Sequence, residues 1–107
     1  MKTRIDNIIE ILSDKKAENI EIIDMRDSDY FTNFVILADT LAQKHAMSLI
    51  DDLKTKLKPK GENFLAIDSS DEWSVIDLGD ILIHLLSKEY RQKYNIEELL
   101  GELNKKK

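Results

Sequence analysis

Two short stretches of this chain are apolar almost without a break. Phe34-Val35-Ile36-Leu37-Ala38 is one, and Ile81 to Leu86, interrupted by His84, is the other. Runs of this length read as strands, and a strand that is apolar on both faces has to lie inside a sheet covered on both sides. This feature constrains the fold more than any other in the sequence.

The segments around these runs supply the covering layers. Ile5, Ile8, Ile9 and Leu12 fall on one face of a helix, with Thr3 and Asp6 spaced as a capping box. Ile20 to Met25 reads as a strand, and Arg26 to Tyr30 as a loop. Asp39 or Thr40 can cap a second helix, whose stripe is Ala42, Ala46, Leu49, Ile50, Leu53 and Leu57. Lys58-Pro59-Lys60-Gly61 ends it. Asn63 to Ile67 and Trp73 to Leu78 read as strands separated by the polar turn Asp68-Ser69-Ser70-Asp71. Leu78-Gly79, between Asp77 and Asp80, suggests a tight hairpin into the run from Ile81, although Leu is not a favoured turn residue. Ser87 opens a short helix through Tyr94, and Asn95 caps a last one with Ile96, Leu99, Leu100 and Leu103 inward. The expected fold is therefore α/β, a mixed five-stranded sheet with helices on both faces. No linker or repeat divides the chain, so residues 1–107 are expected to form a single domain.

Composition narrows the function. The chain has no Cys, which excludes thiolate metal sites and thiol nucleophiles and sits comfortably with a cytosolic, cytoplasmic location. No apolar run is long enough to span a membrane, and the start is not followed by an apolar signal core. The net charge of −5 is a poor basis for broad nucleic-acid binding and fits a basic partner better.

Few residues are placed to do chemistry. His45 and His84 lie on different elements, whereas a zinc site needs three or four clustered ligands. For His84 the plain reading is a buried, hydrogen-bonded imidazole. Asp77 and Asp80 flank the hairpin and form either an acid–base or metal pair, or, by the preferred reading, acceptors for turn amides. Asp27 and Asp29 form an Asp-x-Asp, but the upstream Gly-Ser pair typical of nucleotidyltransferases is missing. Glycines stand only at 61, 79 and 101, so no phosphate-cradling loop can be written. No Ser lies in a strand–turn–helix elbow. No cofactor or metal is expected. Trp73, with Tyr90 and Tyr94 four apart on the following helix, suits either a core or a protein-binding face.

Several blocks together carry a resemblance. They are Asp14-Lys15-Lys16-Ala17-Glu18-Asn19-Ile20, Thr32-Asn33-Phe34-Val35-Ile36, the run from Trp73 to His84, and Arg91-Gln92-Lys93-Tyr94-Asn95-Ile96-Glu97-Glu98-Leu99. With them the chain resembles the ribosomal silencing factor family, also called Iojap-like, over nearly its whole length. The most specific block is the Trp73 strand with its Asp77-Leu78-Gly79-Asp80 turn and His84. The chain departs from the family pattern at Asn33-Phe34, at Thr40 to Lys44, at Asp68-Ser69 and at Leu100.

The resemblance implies a nucleotidyltransferase-like fold without catalytic machinery. It implies a translational repressor that binds the large ribosomal subunit at the basic protein uL-fourteen on the intersubunit face and blocks joining of the small subunit. It also implies a homodimer when free, little direct nucleic-acid binding and no membrane. Trp73, Asp77, Asp80, His84 and Tyr94 are then the expected partner-binding residues. Two competing expectations are a Mg²⁺-dependent nucleotidyltransferase-like enzyme using Asp27, Asp29 or Asp77, and an RNA-binding module of ribosome assembly.

Overall fold

The computed structural model describes residues 3–26, 32–70 and 72–94, with the side chain of Tyr94 outside that set. The expected loop from Arg26 to Tyr30, including Asp27 and Asp29, lies outside the described residues beyond Arg26, as does the expected helix from Asn95.

Helix α1 (Arg4–Asp14) starts at the capping box. Thr3 Oγ1 accepts the Asp6 amide at 3.1 Å, and the Asp6 carboxylate accepts the Thr3 amide at 3.2 Å. Two otherwise orphaned helix-start donors are thereby satisfied. Its buried residues are Ile8, Ile11 and Leu12. Ile11 takes the inward place expected of Ile9, which is only half-buried.

Strand β1 (Glu18–Asp24) pairs antiparallel with β2 (Phe34–Thr40), with a register irregularity between Glu18 and Glu21. Asn19, at φ 49°, sits in that bulge, in a left-handed conformation that Asn tolerates better than most residues. The bulge lets the strand begin two residues before the expected Ile20.

Helix α2 (Gln43–Leu57) carries β2 across to its parallel neighbour. Its stripe of Ala46, Leu49, Ile50, Leu53 and Leu57 is buried as expected, while Ala42 is the exposed N-cap. Neither Asp39 nor Thr40 caps it, because both belong to β2 and have other partners. The Leu41 amide instead donates to the ring of His45 at 3.0 Å, which satisfies a donor at the helix entrance. The helix tightens into a 3₁₀ turn over Lys58–Lys60, and Gly61 at φ 94° closes it.

Strands β3 (Ala66–Ser69), β4 (Trp73–Asp77) and β5 (Ile81–Ser87) complete the sheet, and α3 (Lys88–Tyr94) follows. The strand order is β1-β2-β5-β4-β3, parallel only between β2 and β5. The mixed five-stranded sheet with helices against both faces is thus present.

Two local expectations shift. Strand β3 lies later than Asn63–Ile67, and Asp68 and Ser69 are in it rather than in the turn. They pair with Val75 and Ser74, and the hydroxyls of Ser69 and Ser74 meet at 3.1 Å, so cross-strand pairing overrides their turn preference. The hairpin also moves by one residue. Leu78 pairs with Ile81 through an amide–carbonyl bond of 2.9 Å and is buried, leaving Gly79-Asp80 as the two turn residues. Gly79 has φ 92° and Asp80 does not share a positive φ, the signature of a Gly-first hairpin turn. The unfavoured turn residue, Leu78, is therefore not in the turn.

The side chains of the sheet fall into two cores. On one face Ile36, Ala38, Ile76, Ile81, Ile83 and Leu85 pack with the buried stripes of α1 and α2. On the other, Met25, Val35, Leu37, Leu82 and Leu86 form a smaller core joined by Ile23, Trp73, Val75 and Tyr90. The alternation of β2 and β5 between these cores explains why both strands are apolar throughout.

Candidate functional site

The second face of the sheet holds the residues singled out by sequence. Trp73 pairs with Leu86, and Val75 pairs with His84. Trp73 is therefore the diagonal neighbour of His84 on the same face, within reach of a large ring. The indole N–H donates to His84 Nδ1 at 2.8 Å, and the two rings stack with centroids 5.6 Å apart and planes 21° from parallel. An indole N–H can only donate, so Nδ1 is unprotonated and the neutral ring carries its proton on Nε2.

Tyr90, on α3, lies against Trp73. Its ring centroid is 5.5 Å from that of Trp73, at a 38° tilt. The serine that opens the helix sets its place, since Ser87 Oγ accepts the Tyr90 amide at 3.1 Å. Trp73 and Tyr90 are both half-buried, whereas His84 is only 6% exposed. The arrangement is an aromatic pair at the surface resting on a buried imidazole.

Burial pushes the His84 pKa down to about 4, from an ordinary 6.5. Its Nε2 is buried without a hydrogen-bond partner among the described residues. The expected buried, hydrogen-bonded imidazole is found. A direct contact of His84 with a partner is not favoured by this position, because the ring lies beneath Trp73.

Asp77 and Asp80 do separate work. Asp77 Oδ1 accepts the Gly79 amide at 2.7 Å and so fixes the hairpin, the turn-acceptor role. Asp80 is held by Arg4, whose guanidinium also takes Glu62 in a two-pronged pair with both contacts at 2.6 Å. Arg4 holds the Asp80 carboxyl below its usual range, chiefly through the side-chain hydrogen bond, and the two carboxylates raise the Arg4 pKa. Tyr94 ends α3, and its side chain lies outside the described residues.

His45 stands apart. Its Nδ1 takes the Leu41 amide, and its Nε2 reaches the Lys15 carbonyl at 2.6 Å. It ties the start of α2 to the end of α1 and has no part in the Trp73 face. Among the described residues no group of three or more His, Asp or Glu side chains could hold a metal ion. No described helix is long and apolar enough to cross a membrane.

Two polar clusters were not foreseen. One is Arg4 between Glu62 and Asp80. The other is built on a buried ion pair: Arg91 Nη1 donates to Asp39 Oδ1 at 2.9 Å and to the Asn19 carbonyl at 2.6 Å, and Asn19 Nδ2 donates to Asp39 Oδ2 at 2.7 Å. The one sequence signal for the second was a carboxylate, Asp39, directly after a five-residue apolar run.

These features define a mixed α/β fold with a half-buried aromatic face. The whole chain, residues 1–107, matches the family described as RsfS, ribosomal silencing factor during starvation. A ribosomal silencing factor RsfS from Halalkalibacterium halodurans is 26% identical over 96 residues, covering 88% of this chain and 82% of that protein. A mouse protein named mitochondrial assembly of ribosomal large subunit protein 1 is 24% identical over 103 residues, covering 92% of this chain and 45% of that protein. A crystal structure of a Chromobacterium violaceum protein superposes with a TM-score of 0.82 at 28% identity, covering 92% of this chain and 88% of that one. This chain belongs to the ribosomal silencing factor family, as the resemblance of its Trp73–His84 block implied.

Proposed function

We propose that this protein is a cytoplasmic translational repressor that docks on the large ribosomal subunit, at the basic protein uL-fourteen, and thereby blocks joining of the small subunit. The observation that carries the reading is the half-buried Trp73–Tyr90 pair over His84. Aromatic side chains partly open to solvent on a rigid strand are the usual anchors of protein interfaces.

Charge supports a basic partner. The segment from Ala66 to Ser87, which contains β3, β4 and β5, carries Asp68, Asp71, Glu72, Asp77 and Asp80 and no Lys or Arg. Asp68 and Asp77 share the face of Trp73, because Asp68 pairs with Val75, and Asp77 lies two residues beyond Val75. Such a rim steers association and suppresses acidic partners more than it adds affinity. Asp80, already neutralised by Arg4, contributes less than Asp77. Tyr94 remains in the proposed contact set as the aromatic one helical turn beyond Tyr90.

Steric blocking asks for no bond making. An interface of ~1,200–2,000 Å² is enough for a specific complex of this kind. The reading includes a homodimer of the free protein that separates on docking.

Co-sedimentation of the purified protein with isolated large subunits tests it. Trp73→Ala, folded by circular dichroism, should weaken binding. Unchanged binding removes Trp73 from the interface. The mouse relative, whose name speaks of ribosome assembly, favours a second reading as an assembly module. If that reading acts through RNA, binding to naked ribosomal RNA will fall steeply with salt.

A further inference from the structure

We infer that the Arg91–Asp39–Asn19 cluster, built on the buried Arg91–Asp39 pair, is the positioning device that sets the pose of α3 and so holds Tyr90 against Trp73 in the geometry the partner meets. The inference deepens the docking reading and rests on it for its functional consequence.

Over its described residues helix α3 spans seven, too few to hold a conformation in water by themselves. Its pose must come from what it touches. Two consecutive residues reach in opposite directions across the sheet. Tyr90 packs on Trp73 of β4, on one side of β5. Arg91 reaches Asp39 of β2 and the Asn19 carbonyl of β1, on the other. The Arg91 and Asp39 side chains are 7% and 6% exposed, so the pair is little screened. Asn19 completes the lock from the β1 bulge, where its left-handed backbone goes with its side-chain amide bonding Asp39. A single guanidinium nitrogen donating to acceptors on two neighbouring strands fixes direction as well as distance, which a hydrophobic contact does not. An apolar replacement can therefore preserve the fold while releasing the angle of the helix.

Trp73 is the single tryptophan, so its fluorescence reports on the Tyr90 contact directly. The test uses the full chain carrying Asp39→Leu with Arg91→Met, and separately Arg91→Lys. Circular dichroism checks folding, and emission with acrylamide quenching reads the Trp73 environment. Co-sedimentation with large subunits reads docking. The double variant should fold, with red-shifted and more quenchable emission and roughly tenfold weaker binding. Arg91→Lys keeps the charge but loses the planar guanidinium that reaches both acceptors, and should fall between the two. Emission and quenching as in the unaltered chain, with or without loss of binding, overturn the inference. Should the double variant not fold, Arg91→Lys decides by the same readout. If the unaltered chain does not bind subunits, the docking reading fails while the emission result still decides the role of Arg91.

Discussion

The Trp73 indole N–H and His84 Nδ1 meet at 2.8 Å across adjacent strands, and the two rings also stack. One bond thus fixes both the orientation of the surface indole and the tautomer of the buried imidazole. A protonated His84 cannot accept this bond, so the aromatic face is coupled to the neutral state of a residue beneath it.

That coupling predicts a pH dependence of stability. The folded pKa of about 4 lies below the ordinary 6.5, so between these values the unfolded chain binds more protons. The stabilisation is present above pH 6.5 and is lost as pH falls toward 4, by up to about 3 kcal/mol. Urea unfolding across that range measures it. His84→Leu should flatten this part of the profile, and an unchanged profile in the variant would assign the slope to other groups.

Loss of the imidazole acceptor also has a cost at neutral pH. In His84→Leu the Trp73 N–H loses its partner, which costs about 1–3 kcal/mol where the donor stays buried. Trp73 emission should change with it. A variant as stable as the parent with the same emission would mean the indole finds another acceptor.

The turn makes a second, independent prediction. Gly79 has φ 92°, and an added Cβ would stand 3.3 Å from Leu65 Cδ1. That neighbour is the tip of a largely exposed side chain and can yield. The backbone conformation is the larger penalty, about 1–2 kcal/mol for an L-residue. Gly79→Ala should lower the urea midpoint accordingly, without changing the m-value.

Arg4 is predicted to matter modestly. Its side chain is 46% exposed, so losing its pairs with Glu62 and Asp80 costs about 0.5–1 kcal/mol, reduced at high salt. The lowered Asp80 pKa places this contribution above the usual carboxylate range and removes it as pH falls through the folded value. Parent and Arg4→Ala should therefore converge in acid. A gap that persists in both acid and high salt would point to packing of the Arg4 stem instead.

The sheet was legible because its signals are local. Phe34–Ala38 and Ile81–Leu86 had nowhere else to go but the middle of a covered sheet, and Thr3 with Asp6 announced a helix start. The misread boundaries came from contacts made far away in the chain. Asp39 is a good cap by type, yet Arg91 claims it; Asp68 and Ser69 are good turn residues, yet they pair with Val75 and Ser74. Trp73 and His84 could be named from the chain, but the bond between them depends on β4–β5 register. Tyr90 was one of two candidate tyrosines, and only the pose of α3 shows that it reaches Trp73. No local pattern links Arg4 to Glu62 and Asp80, which lie 58 and 76 residues away.

On the proposed reading, the Trp73 face occupies a surface the small subunit needs. Purified protein added to separated subunits, followed by sucrose gradient, measures the joined fraction directly. Joining should fall as large subunits become occupied, and folded Trp73→Ala should restore it. Full joining on large subunits that demonstrably carry the protein would rule out steric blocking.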